Sequence, residues 1–561
     1  MSTHARPLAD RLAAASDAQL EGLLRARSVR TDVDWDDFFD AAEALLEPGS
    51  IERGLAALDR TDAQRLHDAV QGTADAEALS ALGALGFIDA DGRVLPPVAT
   101  LVQTRPAIPP ASGIDDTPSS ESASARCAER AFTTIGTLAD LLLAARTTPL
   151  ALVATGALSA TERRRFAIHG DPDRLREIAE ISGLARAVDR ELRVTAAAEG
   201  WLADSFAARW GHVVGAFRES LPEGVRSGAG WLPIADWHSA LPWNTAWPVR
   251  AQSLLTLASL LGLRADDGTE PRWAAPLRRG DPVDTSALEA LLPTEVDRIF
   301  LQNDLTAIAP GPLQPALDNR LRAMSEHEAA AQASSYRFTA ESISRALVDG
   351  ETEADLLAFL HAVSLTGVPQ PLEYLVAQTA ARHGLVRVGP DATGGTSVSS
   401  ADEHLLQAIE VDRNLRPMGL VRQGGKLVSR VSAEAVAWAL ADARYPATLV
   451  DRDGAAVSAQ RRRLAPEPHA PQTSYATLIA RLRSRQGPDA DAAWLDRELE
   501  TAVRARAVVL VEVSMPDGSS RELTLEASGM GGGRLRGRDR MADVERTLPV
   551  RSIRSVRVLE S

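Results

Sequence analysis

The chain has 561 residues, which is too long for one hydrophobic core, so about three to five domains are expected. Hydrophobic residues make up 45% of the sequence, as is typical of a globular protein. The formal net charge of −15 excludes a protein that attracts nucleic acid over its whole surface, so any nucleic-acid interface must be local. The single cysteine, Cys127, excludes an intrachain disulfide and a zinc site built from several cysteines.

The sequence contains no indication of a membrane segment. No apolar run approaches the roughly twenty residues that a membrane helix needs, and the N-terminus lacks the apolar core of a signal peptide. The single cysteine also agrees with a reducing compartment. We therefore expect no membrane partner and a cytoplasmic location, with association with the nucleoid as an option.

Residues 1–102 are predicted to form a helical domain that ends in a winged-helix pattern. Leucines at helical spacing fill its first half. Two further helices then precede a hairpin signal at Asp91 and Gly92. Such a hairpin is common in nucleic-acid-binding domains and equally common in domains that contact other proteins. This one is not basic, so its charge does not favour nucleic acid, and both interpretations remain open. Residues 103–126 are rich in Pro and Ser and are predicted to form a linker.

Residues 127–297 are predicted to form a second winged-helix-like helical domain with the same order of helices and hairpin. This copy is more basic than the first, and its arginines are candidate DNA-binding residues. Neighbouring carboxylates offset much of that charge, so ordinary salt-bridged helix surfaces are the alternative. The candidates are Arg163, Arg164, Arg165, Arg186, Arg190 and Arg193.

Seven of the ten tryptophans also lie in this part of the chain. Exposed tryptophan can stack on bases, but single-strand grooves interleave aromatic with basic residues, and few basic residues lie between Trp231 and Trp247. Packing in cores is therefore the favoured interpretation. The seven are Trp201, Trp210, Trp231, Trp237, Trp243, Trp247 and Trp273.

Residues 298–455 are predicted to form an α/β domain. A short apolar strand around Phe300 and a second apolar run come first, and Pro310-Gly311-Pro312 ends the sheet. Helices follow, with Thr339 and Thr352 as N-caps. The segments RIFLQNDLTAIAPGPL, SSYRFTAESISRALVDGETEADLLAFLHAVS, VPQPLEYLVAQTAARHG and LVRVG resemble the N-terminal domain of XPB-type helicases. They are more similar still to the motor-less helicase-associated domain proteins of actinobacteria.

This resemblance implies that residues 298–389 dock a protein partner, such as a helicase, a nuclease or the transcription machinery. DNA is the other expected partner, and it is indicated by the placement of arginines at 163–193 and 534–540. Two helices across Gly350 could instead form a DNA-reading helix-turn-helix. The second helix begins with Glu351, Glu353 and Asp355, which would repel phosphates, so the protein-docking interpretation is favoured.

The sequence lacks the residues of an ATP-driven motor. Its one lysine, Lys426, stands in Gly-Gly-Lys-Leu, without the Ser or Thr and the upstream glycine of a phosphate-binding loop. HExxH, CxxC and GxSxG motifs are missing as well. We therefore expect a protein that is not an enzyme and that uses no cofactor and no metal.

Residues 456–473 are predicted to form a second linker, and residues 474–561 a small domain of one helix and several short strands. The order of these elements resembles the WYL domain, a small SH3-like barrel that senses ligands or nucleic acid in bacterial regulators. The Trp-Tyr that names that family is Gly533 and Arg534 here, and only Leu535 fits. The resemblance therefore implies no ligand-pocket residues in this chain.

Four arginines alternate with other residues in this last domain and form the second set of candidate DNA-binding residues. If they occupy one strand, their guanidinium groups share a face at intervals of about 6.6 Å, a spacing that suits contact with successive phosphates. If Gly537 interrupts the strand, the row is lost. The four are Arg534, Arg536, Arg538 and Arg540.

Together these patterns predict a multidomain, mainly α fold with α/β parts. It comprises tandem winged-helix modules, an XPB-N-terminal-like α/β domain and a small C-terminal SH3-like β-barrel. The expected function is that of a non-catalytic helicase-associated accessory protein, acting as a DNA-binding or protein-docking adaptor in DNA repair or transcription. The alternative is a transcriptional regulator that senses a ligand or nucleic acid through the WYL-like domain.

Overall fold

Short helices, many of them begun by a capping side chain, make up much of the chain in the computed structural model. The hydroxyl of Ser16, for example, accepts a hydrogen bond from the N–H of Gln19, whose side chain accepts one from the N–H of Ser16. The structure describes residues 5–112, 118–167, 170–330, 334–391, 394–452, 454, 464–467, 474–486, 488–515 and 519–559, without the side chains of 329–330 and 488–491. Within these ranges no helix has both the length and the apolar character that crossing a membrane requires.

The elements are numbered in chain order. The helices are α1 (Ala5–Ala14), α2 (Asp17–Ala26), α3 (Phe38–Leu45), α4 (Pro48–Ala56), α5 (Arg60–Gln71), α6 (Ala76–Ala84), α7 (Pro96–Gln103), α8 (Glu121–Thr147), α9 (Ala160–Phe166), α10 (Pro172–Ile181), α11 (Ala196–Ala203), α12 (Phe206–Ser220), α13 (Trp247–Leu260), α14 (Ala274–Arg279), α15 (Ser286–Glu289), α16 (Pro315–Met324), α17 (Ala340–Val348), α18 (Glu353–Val363), α19 (Gln370–Arg382), α20 (Glu403–Val411), α21 (Ala433–Asp442), α22 (Ala476–Ser484) and α23 (Pro488–Ala505). The strands are β1 (Leu150–Ala151), β2 (Ala185–Val188), β3 (Glu191–Val194), β4 (Arg226–Ser227), β5 (Gly230–Trp231), β6 (Phe300–Leu301), β7 (Thr306–Ala309), β8 (Glu326–Ala330), β9 (Ser334–Arg337), β10 (Val386–Pro390), β11 (Thr396–Ser400), β12 (Val421–Gln423), β13 (Lys426–Ser429), β14 (Ala447–Leu449), β15 (Val508–Ser514), β16 (Ser520–Gly531), β17 (Arg534–Asp539), β18 (Val544–Pro549) and β19 (Ile553–Leu559).

Two compact units divide the chain, and each is assembled from separate segments. The first comprises Met1–Asp115, Pro222–Leu255 and His469–Ser561, and the second comprises Asp116–Leu221 and Thr256–Pro468. The N-terminal and C-terminal parts of the sequence therefore share one unit. The consecutive domains predicted from the sequence stay a prediction.

In the first unit, the N-terminal helices pack around α22, which comes from the far end of the sequence. The hydroxyl of Tyr475 donates to the carbonyl of Val29 over 2.7 Å, and Arg483 Nη1 donates to the carbonyl of Ala13 over 2.6 Å. A helix that the sequence groups with residues 474–561 thus completes the N-terminal core. Buried side chains shared by this core include Leu20, Leu24, Phe38, Phe39, Tyr475, Leu478, Ile479 and Leu482.

The next helix, α23, has faces buried in two different cores of the first unit. Trp494 lies in the N-terminal core, and its indole N–H donates to the carboxylate of Asp37 over 3.2 Å. Leu495 and Leu499 lie in the core beneath the C-terminal sheet. The helix therefore holds that sheet against the N-terminal helices.

The C-terminal strands form an open sheet in the order β18, β17, β16, β15, β19. All neighbouring strands run antiparallel. No pairing joins the edge strands β18 and β19 within the described residues, so the prediction of a closed SH3-like barrel is wrong. The physical reason is α23, because its apolar side chains cover one face of the sheet and give it the second layer that it needs.

A buried arginine joins three segments of the N-terminal helices. Arg27 Nη2 donates to the carbonyl of Leu45 over 2.7 Å and to the hydroxyl of Ser50 over 3.0 Å. Its Nη1 donates to the carbonyl of Leu85 over 3.2 Å, and the guanidinium lies 5.0 Å from the ring centre of Phe87. Burial lowers the pKa of Arg27 to about 10, so the group stays charged at neutral pH.

In the second unit, a helical region carries a small three-stranded sheet. Its elements follow the order α8, β1, α9, α10, β2, β3, and the strands lie in the order β1, β3, β2. Helix α8 begins at Glu121, inside the stretch 103–126 whose composition predicts a linker. Asp189 and Arg190 form the turn of the hairpin, with φ values of 50° and 64° that suit a two-residue hairpin loop. This order of elements is the one that the winged-helix prediction requires, and the winged-helix assignment itself stays a prediction.

Two further sheets follow in the second unit. The first has the order β6, β7, β9, β8, and its core includes Tyr336 and Phe338 together with residues of α16 to α19. The second has the order β12, β13, β11, β10, β14 and buries Val388 against α20 and α21. Its strands β10 and β14 run parallel, and the other neighbours run antiparallel. The mixed α and α/β fold class predicted from the sequence is therefore confirmed at this level.

All seven tryptophans of residues 201–273 are buried, with at most 4% of their surface exposed. Six of the seven indole groups donate to backbone carbonyls, and that of Trp231 has no hydrogen-bond partner among the described residues. Trp210 donates to Leu261, and Trp273 donates to Gly262, both over 2.9 Å. The prediction of core packing is confirmed, and stacking of bases on these rings is excluded.

Helix α23 also buries a carboxyl group. Glu498 is 6% exposed, and its Oε2 has no hydrogen-bond partner among the described residues. Burial raises the pKa of Glu498 from 4.5 to about 7, with Arg6 opposing the shift and Asp10 adding to it. Near pH 6 the folded state therefore holds a proton that the unfolded chain has released.

Replacing Arg27 by Met is expected to lower the free energy of unfolding by about 2–4 kcal/mol, because the carbonyls of Leu45 and Leu85 lose a buried donor. Chemical denaturation measures the change. The matched control is Arg25→Met, two residues earlier in the last turn of α2, where the arginine is exposed and paired with Glu21. Equal stability of the two variants would contradict the role given to Arg27.

The native chain is expected to lose stability as the pH rises from 4.5 to about 7, because over that range the unfolded chain releases the Glu498 proton before the folded chain does. Replacing Glu498 by Gln should abolish this loss. The stability gained by the variant should be small at pH 4.5 and should reach roughly 3 kcal/mol at most by pH 8, since one pKa unit corresponds to about 1.4 kcal/mol. Thermal unfolding across this pH range checks it. Glu500→Gln, an exposed change on the same helix, serves as control. Parallel pH profiles for native chain and Glu498→Gln would refute the assignment.

Candidate nucleic-acid interface

Strand β17 presents three of the four C-terminal candidate arginines on one face. Its residues alternate between exposed and buried, so Arg534, Arg536 and Arg538 point outward. Arg540 follows directly after the strand and is also exposed, and its N–H donates to the carbonyl of Thr524 over 2.9 Å. The row of four arginines that the sequence predicts is therefore present, at intervals of about 6.6 Å along the strand.

Gly537 lies inside β17 and does not interrupt it. It pairs with Arg546 on β18 and with Ala527 on β16. A Cβ at this position would stand 2.8 Å from the carbonyl oxygen of Glu526, so only glycine lets the two strands approach this closely. The glycine therefore maintains the strand that carries the row.

Carboxylates neutralise one end of the row. Arg538 Nη2 lies 2.7 Å from Asp543 Oδ1, and Arg540 Nη2 lies 3.8 Å from Glu526 Oε2. Arg534 and Arg536 have no ion pair within the described residues. The positive charge that remains available thus lies at the start of β17.

A buried carboxylate stabilises the turn that follows β17. Asp539 is 2% exposed, and its Oδ1 accepts from the N–H groups of Met541 and Ala542 over 3.0 and 3.1 Å. Its Oδ2 lies 2.6 Å from Nε of Arg546. The hydrogen bond and charge of Arg546 keep the pKa of Asp539 below its usual value. This turn positions Asp543 beside the row.

The structure divides the other six candidates into two groups. Arg163, Arg164 and Arg165 are exposed on α9, where Arg165 Nη1 lies 3.8 Å from Glu162. The hairpin carries Arg186, Arg190 and Arg193. No hydrogen bond or ion pair joins the helix group to the hairpin group in the described part of the chain.

Two of the three hairpin arginines already have partners. Arg186 donates to the carbonyl of Pro466. Arg193 is 17% exposed at its side chain and lies 2.8 Å from Glu191 and 3.7 Å from Asp189. The adjacent helix α10 has the same character, because its arginines pair with acidic residues three and four positions away. Carboxylates therefore neutralise Arg165, Arg193 and the arginines of α10, whereas the partner of Arg186 is an uncharged carbonyl.

A cleft of about 1030 Å³ in the second unit escapes prediction from sequence. Side chains from α8, α16, α17 and α19 line it together with residues near β14. Several of its charges are paired inside it: Arg322 lies 2.6 Å from Asp140 and 2.9 Å from Asp318. Its lining residues are far apart in the chain, so no local pattern could indicate it.

The single lysine lies on β13 and serves a local ion pair. Lys426 bonds to Asp391, whose side chain is 2% exposed. Asp391 directly follows β10, so the ion pair links β13 to the end of β10 and stabilises the sheet.

Comparison with known families gives one match. Residues 299–424 match the family described as the helicase conserved C-terminal domain, a range that runs from β6 to the turn after β12. No curated protein matches the chain. The segment is therefore helicase-related, and the match suggests a nucleic-acid-associated role; the more specific XPB-like and WYL-like resemblances stay predictions.

Proposed function

We propose that this chain is a non-catalytic, helicase-related accessory protein that contacts nucleic acid through the arginine row of β17 and docks a protein partner through residues 298–389. One observation carries the proposal: four arginines share an exposed face in a protein whose formal net charge is −15. Local charge of this kind attracts phosphates even when the whole molecule is acidic. DNA repair or transcription would be the setting for such an adaptor.

The proposal that the chain lacks an ATPase motor is supported by the position of its single lysine, Lys426. ATP-driven helicases hold nucleotide phosphates with a lysine in a glycine-rich loop before a helix. Here the single lysine sits on a strand and pairs with a buried aspartate. These observations favour a protein that works without an ATPase motor.

Exposed apolar side chains support the docking of a partner. Phe300 and Leu365 are 39% and 53% exposed, and their segments run side by side, since the N–H of Leu365 donates to the carbonyl of Ile299 over 2.9 Å. Tyr374, on α19, is 66% exposed. Exposed aromatic and aliphatic groups are the usual anchors of protein interfaces. A helicase, a nuclease or the transcription machinery is the class of partner we propose.

The alternative, a regulator that senses a ligand in the C-terminal domain, has less support. Small barrels fill their interior with side chains, and only larger barrels enclose a ligand cavity. The C-terminal sheet is open, and α23 fills its apolar face.

Replacing all four arginines of the row by Ala is expected to weaken binding and to flatten its salt dependence, because fewer counterions are released. Fluorescence anisotropy of the full chain with duplex, forked and single-stranded DNA at two salt concentrations measures both. A variant with four lysines instead keeps the charge and should keep binding. A second variant, R163A/R164A/R165A, tests the α9 group. Unchanged affinity after removal of the four arginines would refute the site.

Replacing Phe300, Leu365 and Tyr374 by Ser is expected to abolish recovery of a partner from cell extract while leaving DNA affinity unchanged. Quantitative mass spectrometry of the captured proteins measures the loss. The four-alanine variant of the row is the reciprocal control, because it should keep the partner. Equal recovery by the serine variant and the native chain would contradict docking through these three side chains.

A further inference from the structure

The two ends of the arginine row have different surroundings. At the start of β17, Arg534 is flanked by Gly531 on β16, and Arg536 by Gly529. A Cβ built on either glycine would meet no atom within 4 Å, so the surface beside both arginines is flat and open. At the bulge of β16 beside Arg536, the hydroxyl of Ser528 donates to the carbonyl of Arg536 over 3.2 Å. The neighbours that β16 places beside these two arginines are therefore glycines and an uncharged serine.

On the other side of these two arginines, β18 contributes no charge. Arg534 is opposite Pro549, and Arg536 is opposite Thr547. The start of the row is thus bordered by glycine, serine, proline and threonine. Nothing among these neighbours repels a phosphate.

The end of the row is bordered by carboxylates. Arg538 lies between Glu526 on β16 and Glu545 on β18, and it bonds to Asp543. Arg540 also lies near Glu526, at 3.8 Å. The pairs are exposed, so each contributes little to stability, but their negative charges remain beside any phosphate that approaches.

The sheet offers no surface for base stacking. No Phe, Trp or Tyr follows Trp494 in the sequence, so none of the five C-terminal strands carries an aromatic ring. Binding of single strands through bases depends on such rings. The lack of aromatic rings on these strands therefore favours contact with the sugar–phosphate backbone over stacking of bases.

We propose that Arg534 and Arg536 hold two successive phosphates of a nucleic-acid strand without reading its bases, and that Glu526, Asp543 and Glu545 exclude the strand from the rest of the row and limit its affinity. This inference rests on the proposed function, since it requires that the chain binds nucleic acid at β17. It assigns the affinity to two of the four arginines and gives the neighbouring carboxylates a role in setting it.

The experiment uses the full chain and a fluorescein-labelled single strand in normal and fully abasic form, with anisotropy as readout. R534A/R536A is expected to weaken binding at least about tenfold and to lower the salt slope by about 1.4, the value for two phosphates of a single strand. R538A/R540A removes the same charge and should change affinity less than about threefold, because carboxylates already neutralise that end. E526Q/D543N/E545Q should tighten binding about threefold or more, since three like charges are removed. The abasic strand should bind as tightly as the normal one.

Each contrary result has a distinct meaning. Three results would overturn the inference: equal losses of affinity in the two arginine variants, no gain of affinity in the carboxamide variant, or failure of the abasic strand to bind. In each case the proposed function would still stand, provided that the native chain binds the normal strand. No binding by the native chain would overturn both. R534K/R536K should restore most of the affinity, and matching thermal unfolding of all variants shows that the changes act on binding.

Discussion

Burial of Tyr475 and Trp494 among the N-terminal leucines and phenylalanines is the contact on which the first unit depends. It joins segments from opposite ends of the sequence, and it places α23 where its other apolar side chains can cover the C-terminal sheet. The sheet presents its arginines on the face that α23 leaves open. The position of the candidate interface is therefore a consequence of helix packing in a core to which no strand of the sheet contributes.

Arginine serves opposite purposes in different parts of this chain. Arg27 and Arg209 are buried and donate to backbone carbonyls, and burial lowers the pKa of each to about 10. Arg322 lies between two carboxylates. Arg534 and Arg536 have neither kind of partner within the described ranges. The number of arginines thus says little about function, and the environment of each one decides what it can do.

Much of the candidate interface could be predicted from local sequence, because strand alternation has a period of two residues and places Arg534, Arg536 and Arg538 on one side. The helix caps at Thr339 and Thr352 were equally predictable, and both are capping boxes in the structure. Whether the C-terminal sheet closes into a barrel could not be predicted, since closure depends on pairing between strands that are far apart in the chain. The docking of α22 was hidden for the same reason. The pairing of Arg538 with Asp543 had a local signal, five residues of separation across a turn.

The dependence of the N-terminal core on α22 has a consequence for synthesis of the protein. Phe38 and Leu20 leave the ribosome roughly 440 to 460 residues before α22, which at about 5–20 residues per second means tens of seconds. During that interval the apolar surface that α22 covers is exposed on the nascent chain. Molecular chaperones recognise exposed apolar surface of this kind. The first helices of the chain can therefore complete their packing only after α22, one of the last helices, has been synthesised.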